Sequence, residues 1–90
     1  MLNDLYEIIL DRKTNPKPDS YTNSLFDAGL PRIAQKVGEE ATEVVVAALS
    51  QEKPRLVEEI ADLAYHVLVL MAEKGITPDE VAGELERRKH

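Results

Sequence analysis

The sequence predicts an all-α fold: antiparallel helical hairpins, about five helices in all, forming a bundle completed by dimerisation. Three observations carry this. Apolar residues recur at helical spacing along nearly the whole chain, with no strand-like alternation. Proline and glycine interrupt that pattern at helix-length intervals. One segment, Ile60 to Ala72, is apolar on nearly every side, which is more surface than a 90-residue chain can readily cover by itself.

The elements follow in order. Leu2, Leu5, Ile8 and Ile9 form a short amphipathic face, and Asn15-Pro16-Lys17-Pro18-Asp19 ends it, because proline cannot continue a helix and restricts its predecessor. Ser20 is the N-cap of a short second helix reaching about Ala28. Gly29 suits its C′ position, and Pro31 suits the first turn of the next helix. The third helix runs from Leu30 to Leu49, with Ile33, Val37, Ala41, Val44 and Ala48 on one face. Gly38 costs about 1 kcal/mol against alanine in that helix, so the sequence implies a reason such as close approach of a neighbour. Ser50 to Lys53 form a turn, Pro54 opens the fourth helix and Gly75 closes it. Thr77-Pro78-Asp79-Glu80 is a capping box that starts a fifth.

Composition narrows the function. The length suits a single domain spanning residues 1–90. Eleven Lys and Arg stand against 17 Asp and Glu, a net charge of −6, with no basic stripe for a nucleic-acid partner. The absence of cysteine excludes disulfides, thiolate metal sites and a cysteine nucleophile, and fits a reducing, cytoplasmic setting. The N-terminal residues carry acids where a signal peptide would carry a basic segment. The longest apolar stretch, Leu63 to Ala72, contains His66 and is far too short to span a bilayer, so no membrane partner is expected.

Chemistry concentrates on two acidic groups. Glu39-Glu40-x-x-Glu43 lies on the third helix and Glu59-x-x-Asp62 on the fourth. Carboxylates three apart share a helical face. At about 100° per residue, Lys36, Glu40 and Glu43 form one polar strip beside the apolar face, with Glu39 further round. On the fourth helix the polar positions reduce to one strip of Glu59, Asp62, His66 and Glu73. Unpaired carboxylates in a buried strip are costly, so a cation is expected there. Hard oxygen ligands of this kind suit Mg²⁺, which brings phosphate chemistry with it.

Other chemistries have less support. A di-iron bundle needs Glu-x-x-His on two helices, and no such motif exists. His66 alone reads as a partly buried histidine bonded to a neighbour, and His90 is terminal. Ser20, Thr22 and Ser24 lack a His–Asp set, so they read as capping or substrate-contacting groups. Tyr6, Tyr21, Phe26 and Tyr65 are too scattered to form a base-stacking platform and read mostly as core.

The bipartite acidic motif resembles the metal motif of the all-α nucleoside-triphosphate pyrophosphohydrolases. Ser20-Tyr21-Thr22, Leu25, Gly29 and Ile33-Ala34-Gln35-Lys36-Val37-Gly38-Glu39-Glu40-Ala41 narrow the likeness to the phosphoribosyl-ATP pyrophosphohydrolase family. Ala61-Asp62-Leu63-Ala64-Tyr65-His66 continues it, and the likeness spans about Leu5 to Arg87.

The resemblance implies Mg²⁺-dependent hydrolysis of phosphoribosyl-ATP to phosphoribosyl-AMP and pyrophosphate, the second step of histidine biosynthesis, by a cytoplasmic homodimer. It implies a metal site of Glu40, Glu43, Glu59 and Asp62, open to Mn²⁺ as a substitute. Glu39 or Glu43 would orient or deprotonate the attacking water, and the sequence does not choose between them. Lys36 would neutralise phosphate charge or pair with Glu40. Arg12, Ser20, Tyr21 and Thr22 would contact substrate. Many relatives are fused to a cyclohydrolase with zinc thiolates; this chain is expected to act without one. Two alternatives share parts of this reading: a house-cleaning nucleoside-triphosphate pyrophosphatase of the same superfamily, and a non-catalytic helical dimerisation module.

Overall fold

A computed structural model describes residues 1–89 of the chain; His90 lies outside them. It contains five helices, and no strand occurs among the described residues. They are α1 (Leu2–Thr14), α2 (Tyr21–Ala28), α3 (Leu30–Ser50), α4 (Lys53–Lys74) and α5 (Pro78–Arg88). The all-α expectation holds, and the boundaries fall within a residue or two of those read from proline and glycine.

Local chemistry explains several of these boundaries. Ser20 accepts a hydrogen bond from the Asn23 backbone N–H at 3.2 Å, the N-cap contact that starts α2. Gly29, at φ 92°, separates α2 from α3 with one residue, a conformation that other residues rarely adopt. Gly75 ends α4 in the left-handed region at φ 72°. Thr77 and Glu80 make the expected reciprocal capping box: Glu80 N–H donates to Thr77 Oγ1 at 3.1 Å, and Thr77 N–H donates to Glu80 Oε1 at 2.9 Å.

The dominant packing is the α3–α4 antiparallel hairpin, closed by Gln51 and Glu52. Helix α1 lies on α4, α2 bridges α3, α1 and α4, and α5 touches α1. The core lies at one end of the hairpin. Tyr6 and Ile9 of α1, Leu25 of α2, Ile33 of α3, and Leu68, Val69, Met71 and Ala72 of α4 form one buried cluster. The Tyr6 hydroxyl donates to the Ile76 carbonyl at 2.6 Å, tying α1 to the turn after α4.

The other end of the hairpin is bare. Val45, Val46 and Leu49 of α3 and Val57 and Ile60 of α4 are all exposed. Beside them, an open apolar groove of about 440 Å³ runs between Ile60, Leu63 and Val67 of α4 and Val81 and Leu85 of α5. So α4 is apolar nearly all round, as its sequence suggests, but this chain covers only part of it. Tyr21 departs from expectation: it is 51% exposed rather than core, because its ring lies at the N-terminus of α2, beside the site described next. Gly38 departs as well. A Cβ there would meet nothing within 4 Å, so no neighbour within the chain requires the glycine.

Candidate metal and substrate site

The hairpin sets the acidic groups face to face. Glu40 and Glu43 of α3 and Glu59 of α4 each offer a carboxylate oxygen, all within 4.8 Å of one another. Glu40 and Glu59 are buried, at 7% and 4% exposure, while Glu43 is exposed at the mouth. This follows from helical register: Glu40 borders the apolar face of α3, and Glu43 lies one turn further toward the bare end.

Two cations reach the cluster from its flanks. Lys36 Nζ lies 3.4 Å from Glu40 Oε1 and 3.5 Å from Glu39 Oε1. The Arg55 guanidinium donates to Glu59 Oε2 at 3.0 Å and to Glu58 Oε1 at 3.1 Å. Each cation occupies one oxygen of a buried carboxylate. The other oxygens, Glu40 Oε2 and Glu59 Oε1, are buried and have no hydrogen-bond partner. A buried unpaired acceptor costs about 1–3 kcal/mol, and more when charged. Native proteins keep such groups where something satisfies them. Two orphaned oxygens in a three-carboxylate cluster fit a hard divalent cation, whose ligands are oxygens.

Proximity also marks Glu43. A proton on Glu43 would be shared with Glu40, and the charges of Glu40 and Glu59 oppose its ionisation, so its carboxyl is held above the usual glutamate range. Burial works against the charge on Lys36, but Tyr21, Glu40 and Glu39 together outweigh it and raise its pKa.

Other expected site residues fall around this centre in different ways. Glu39 is outside it, accepting from Gln35 Nε2 at 3.0 Å and facing Arg32 at 3.7 Å. Asp62 is exposed and stands apart from the three-carboxylate cluster. The Tyr21 hydroxyl meets His66 Nε2 at 2.9 Å, and the Thr22 and Tyr65 hydroxyls are in contact. Ser20 serves as the α2 cap. The Arg12 side chain pairs with Asp11 at 3.2 Å, and its carbonyl accepts from Asn23 Nδ2 at 2.6 Å.

Two contributors escaped sequence reasoning. Arg55 precedes Glu59 by four, a spacing that signals an ion pair but is common on solvated helices. Asn23 is buried and also accepts the Lys17 N–H at 2.8 Å, so it fastens the loop carrying Ser20 to the end of α1. An asparagine three residues beyond a proline-containing loop gives no sequence signal of that role.

The fold and site define an all-α hairpin protein with convergent carboxylates suited to a hard cation, flanked by positive charge suited to an anion. The profile of the family described as phosphoribosyl-ATP pyrophosphohydrolase matches residues 2–89. The chain belongs to that family. It is 56% identical over 88 residues to the phosphoribosyl-ATP pyrophosphatase of Sulfurisphaera tokodaii, covering 98% of this chain and 94% of that one. It is 56% identical over 89 residues to the phosphoribosyl-ATP pyrophosphatase of Listeria welshimeri, covering 99% and 85%. It is 53% identical over 88 residues to the histidine biosynthesis bifunctional protein HisIE of Caldanaerobacter subterraneus, covering 98% of this chain and 43% of that one.

Proposed function

We propose that this protein hydrolyses phosphoribosyl-ATP to phosphoribosyl-AMP and pyrophosphate in histidine biosynthesis, as a cytoplasmic, Mg²⁺-dependent homodimer. Its family membership supports the reaction. The observation that carries the metal is the pair of buried, partnerless oxygens on Glu40 and Glu59. Glu40, Glu43 and Glu59 would hold the ion, with Asp62 as a fourth acid on the same helix as Glu59; Mn²⁺ would suit the same donors. When bound, Mg²⁺ supplies charge neutralisation for the triphosphate and polarisation of the α–β anhydride bond.

The residues supply the rest. Water attacks the α-phosphorus in line, the bond to the bridging oxygen breaks, and pyrophosphate leaves. Glu43 is better suited than Glu39 to take the water's proton. It stands exposed at the mouth of the cluster, whereas Glu39 is occupied by Gln35, Lys36 and Arg32. Lys36, paired here with Glu40, would turn toward phosphate. Ser20, Tyr21 and Thr22 would contact the nucleotide, with Arg12 at the edge of the same loop. A second copy would cover the exposed Val57 and Ile60 and the groove against α5.

Pyrophosphate release from phosphoribosyl-ATP, compared with dUTP and dCTP at equal concentration, tests the substrate. Preference for phosphoribosyl-ATP is expected; faster turnover of the deoxynucleotides would keep the chemistry and reject the substrate.

A further inference from the structure

His66 is a buried imidazole, 5% exposed, with both nitrogens engaged. Its Nδ1 lies 2.7 Å from the main-chain carbonyl oxygen of Asp62, one turn earlier. A carbonyl only accepts, so Nδ1 carries the proton, and in the neutral ring Nε2 is left as an acceptor. That acceptor meets the Tyr21 hydroxyl at 2.9 Å. The phenol must therefore spend its only proton inward, and its remaining hydrogen-bonding capacity is acceptance.

Neighbouring contacts hold the geometry. The Tyr65 ring meets His66 edge-on at 5.1 Å and stacks on Tyr21 at 6.3 Å. The Thr22–Tyr65 hydroxyl contact pins the residue after Tyr21 on α2 to the residue before His66 on α4. We propose that His66 is a positioning residue that fixes the hydrogen-bond polarity of Tyr21, so that the phenolic oxygen reads a ribose hydroxyl of the substrate and not a phosphate. This rests on the function proposed above. Triphosphate oxygens are acceptors and have no proton to offer this oxygen. The ribose bonded to the α-phosphate carries hydroxyl donors that this oxygen can accept.

Two kinds of measurement test this. Nitrogen-15 NMR of the nucleotide-free protein at about pH 8, above the ordinary histidine range, should show His66 protonated at Nδ1 and bare at Nε2, with the signals assigned by their loss in His66→Leu. The opposite tautomer overturns the proposal. In kinetics with phosphoribosyl-ATP and Mg²⁺, Tyr21→Phe should raise KM about tenfold, the worth of one net hydrogen bond, with kcat within about twofold. His66→Leu should do the same, and the double variant should lose no more; additive losses overturn the proposal. Against analogues lacking the 2′- or the 3′-hydroxyl of the ATP ribose, the Tyr21→Phe penalty should vanish for one of them. A penalty that persists on both also overturns it. If His66→Leu fails to fold, the wild-type tautomer and the Tyr21→Phe analogue comparison still decide. Absence of turnover by the wild type rejects the functional reading and the ribose contact with it, while the NMR signature separately decides the tautomer.

Discussion

At the scale of single residues, the site is a set of charges in an unresolved balance. Glu40 and Glu59 each have one oxygen held by a cation and one held by nothing. Glu43 feels both. Its raised carboxyl has a definite sign in stability: a group raised on folding contributes below the ordinary glutamate range and loses that contribution as pH rises through its folded value. In EDTA, the melting temperature of Glu43→Gln relative to wild type should therefore increase as pH rises from the glutamate range toward neutrality. A difference independent of pH would remove the like-charge account. With Mg²⁺ and substrate, the same variant should lose at least about a hundredfold in turnover, the range for a general acid–base group; full activity in a folded Glu43→Gln protein would overturn its assignment. Legibility at this scale was partial. The acids on α3 and α4 were readable because three-residue spacing fixes a common face. The separation of Asp62 from the cluster was not, because the rotation of α4 about its axis is set by packing against α1 and α3. Arg55 and Asn23 were hidden for the same reason: their roles come from partners that only the tertiary fold brings within reach.

Elements were the most legible level, because their ends are written in backbone chemistry. Ser20, Gly29, Gly75 and the Thr77–Glu80 box each perform the task that their residue type suggests. Thr77→Ala should cost about 1 kcal/mol, as lost N-caps do, measured by denaturant unfolding; an unchanged midpoint would mean that α5 adds nothing to global stability. Gly38 is the instructive failure. Its cost in α3 implied a close neighbour, and the single chain has none. If that space stays open in the working protein, Gly38→Ala should stabilise by about 0.5–1 kcal/mol. Destabilisation or lost activity would instead show that a second subunit or the substrate approaches there, which the sequence cannot distinguish from an empty flank.

For the whole molecule, the decisive feature is asymmetry along the hairpin. One end is sealed by α1 and α2 around Ile9, Ile33 and Val69; the other leaves Val45, Leu49, Val57 and Ile60 in the open. The carboxylate cluster lies between them. Burial of apolar area at about 25 cal/mol per Å² gives a second copy a strong reason to cover the bare end. Sedimentation should find a dimer, and Ile60→Asp should shift it to monomer while leaving helix content intact; a monomeric wild type would contradict this. The apolar circumference of α4 is the sequence's signal for a partner, but which part of it stays open depends on where α1 and α5 dock, which periodicity does not encode.

The proposed metal-dependent pyrophosphate release would join these scales, since it would need the carboxylates, the hairpin that converges them and the substrate the family implies. The direct measurement is pyrophosphate production from phosphoribosyl-ATP with Mg²⁺, with and without EDTA. Stoichiometric release of pyrophosphate and phosphoribosyl-AMP, abolished by EDTA and restored by excess Mg²⁺, is the predicted result. Release undiminished by EDTA, or none from a folded protein, would contradict the account.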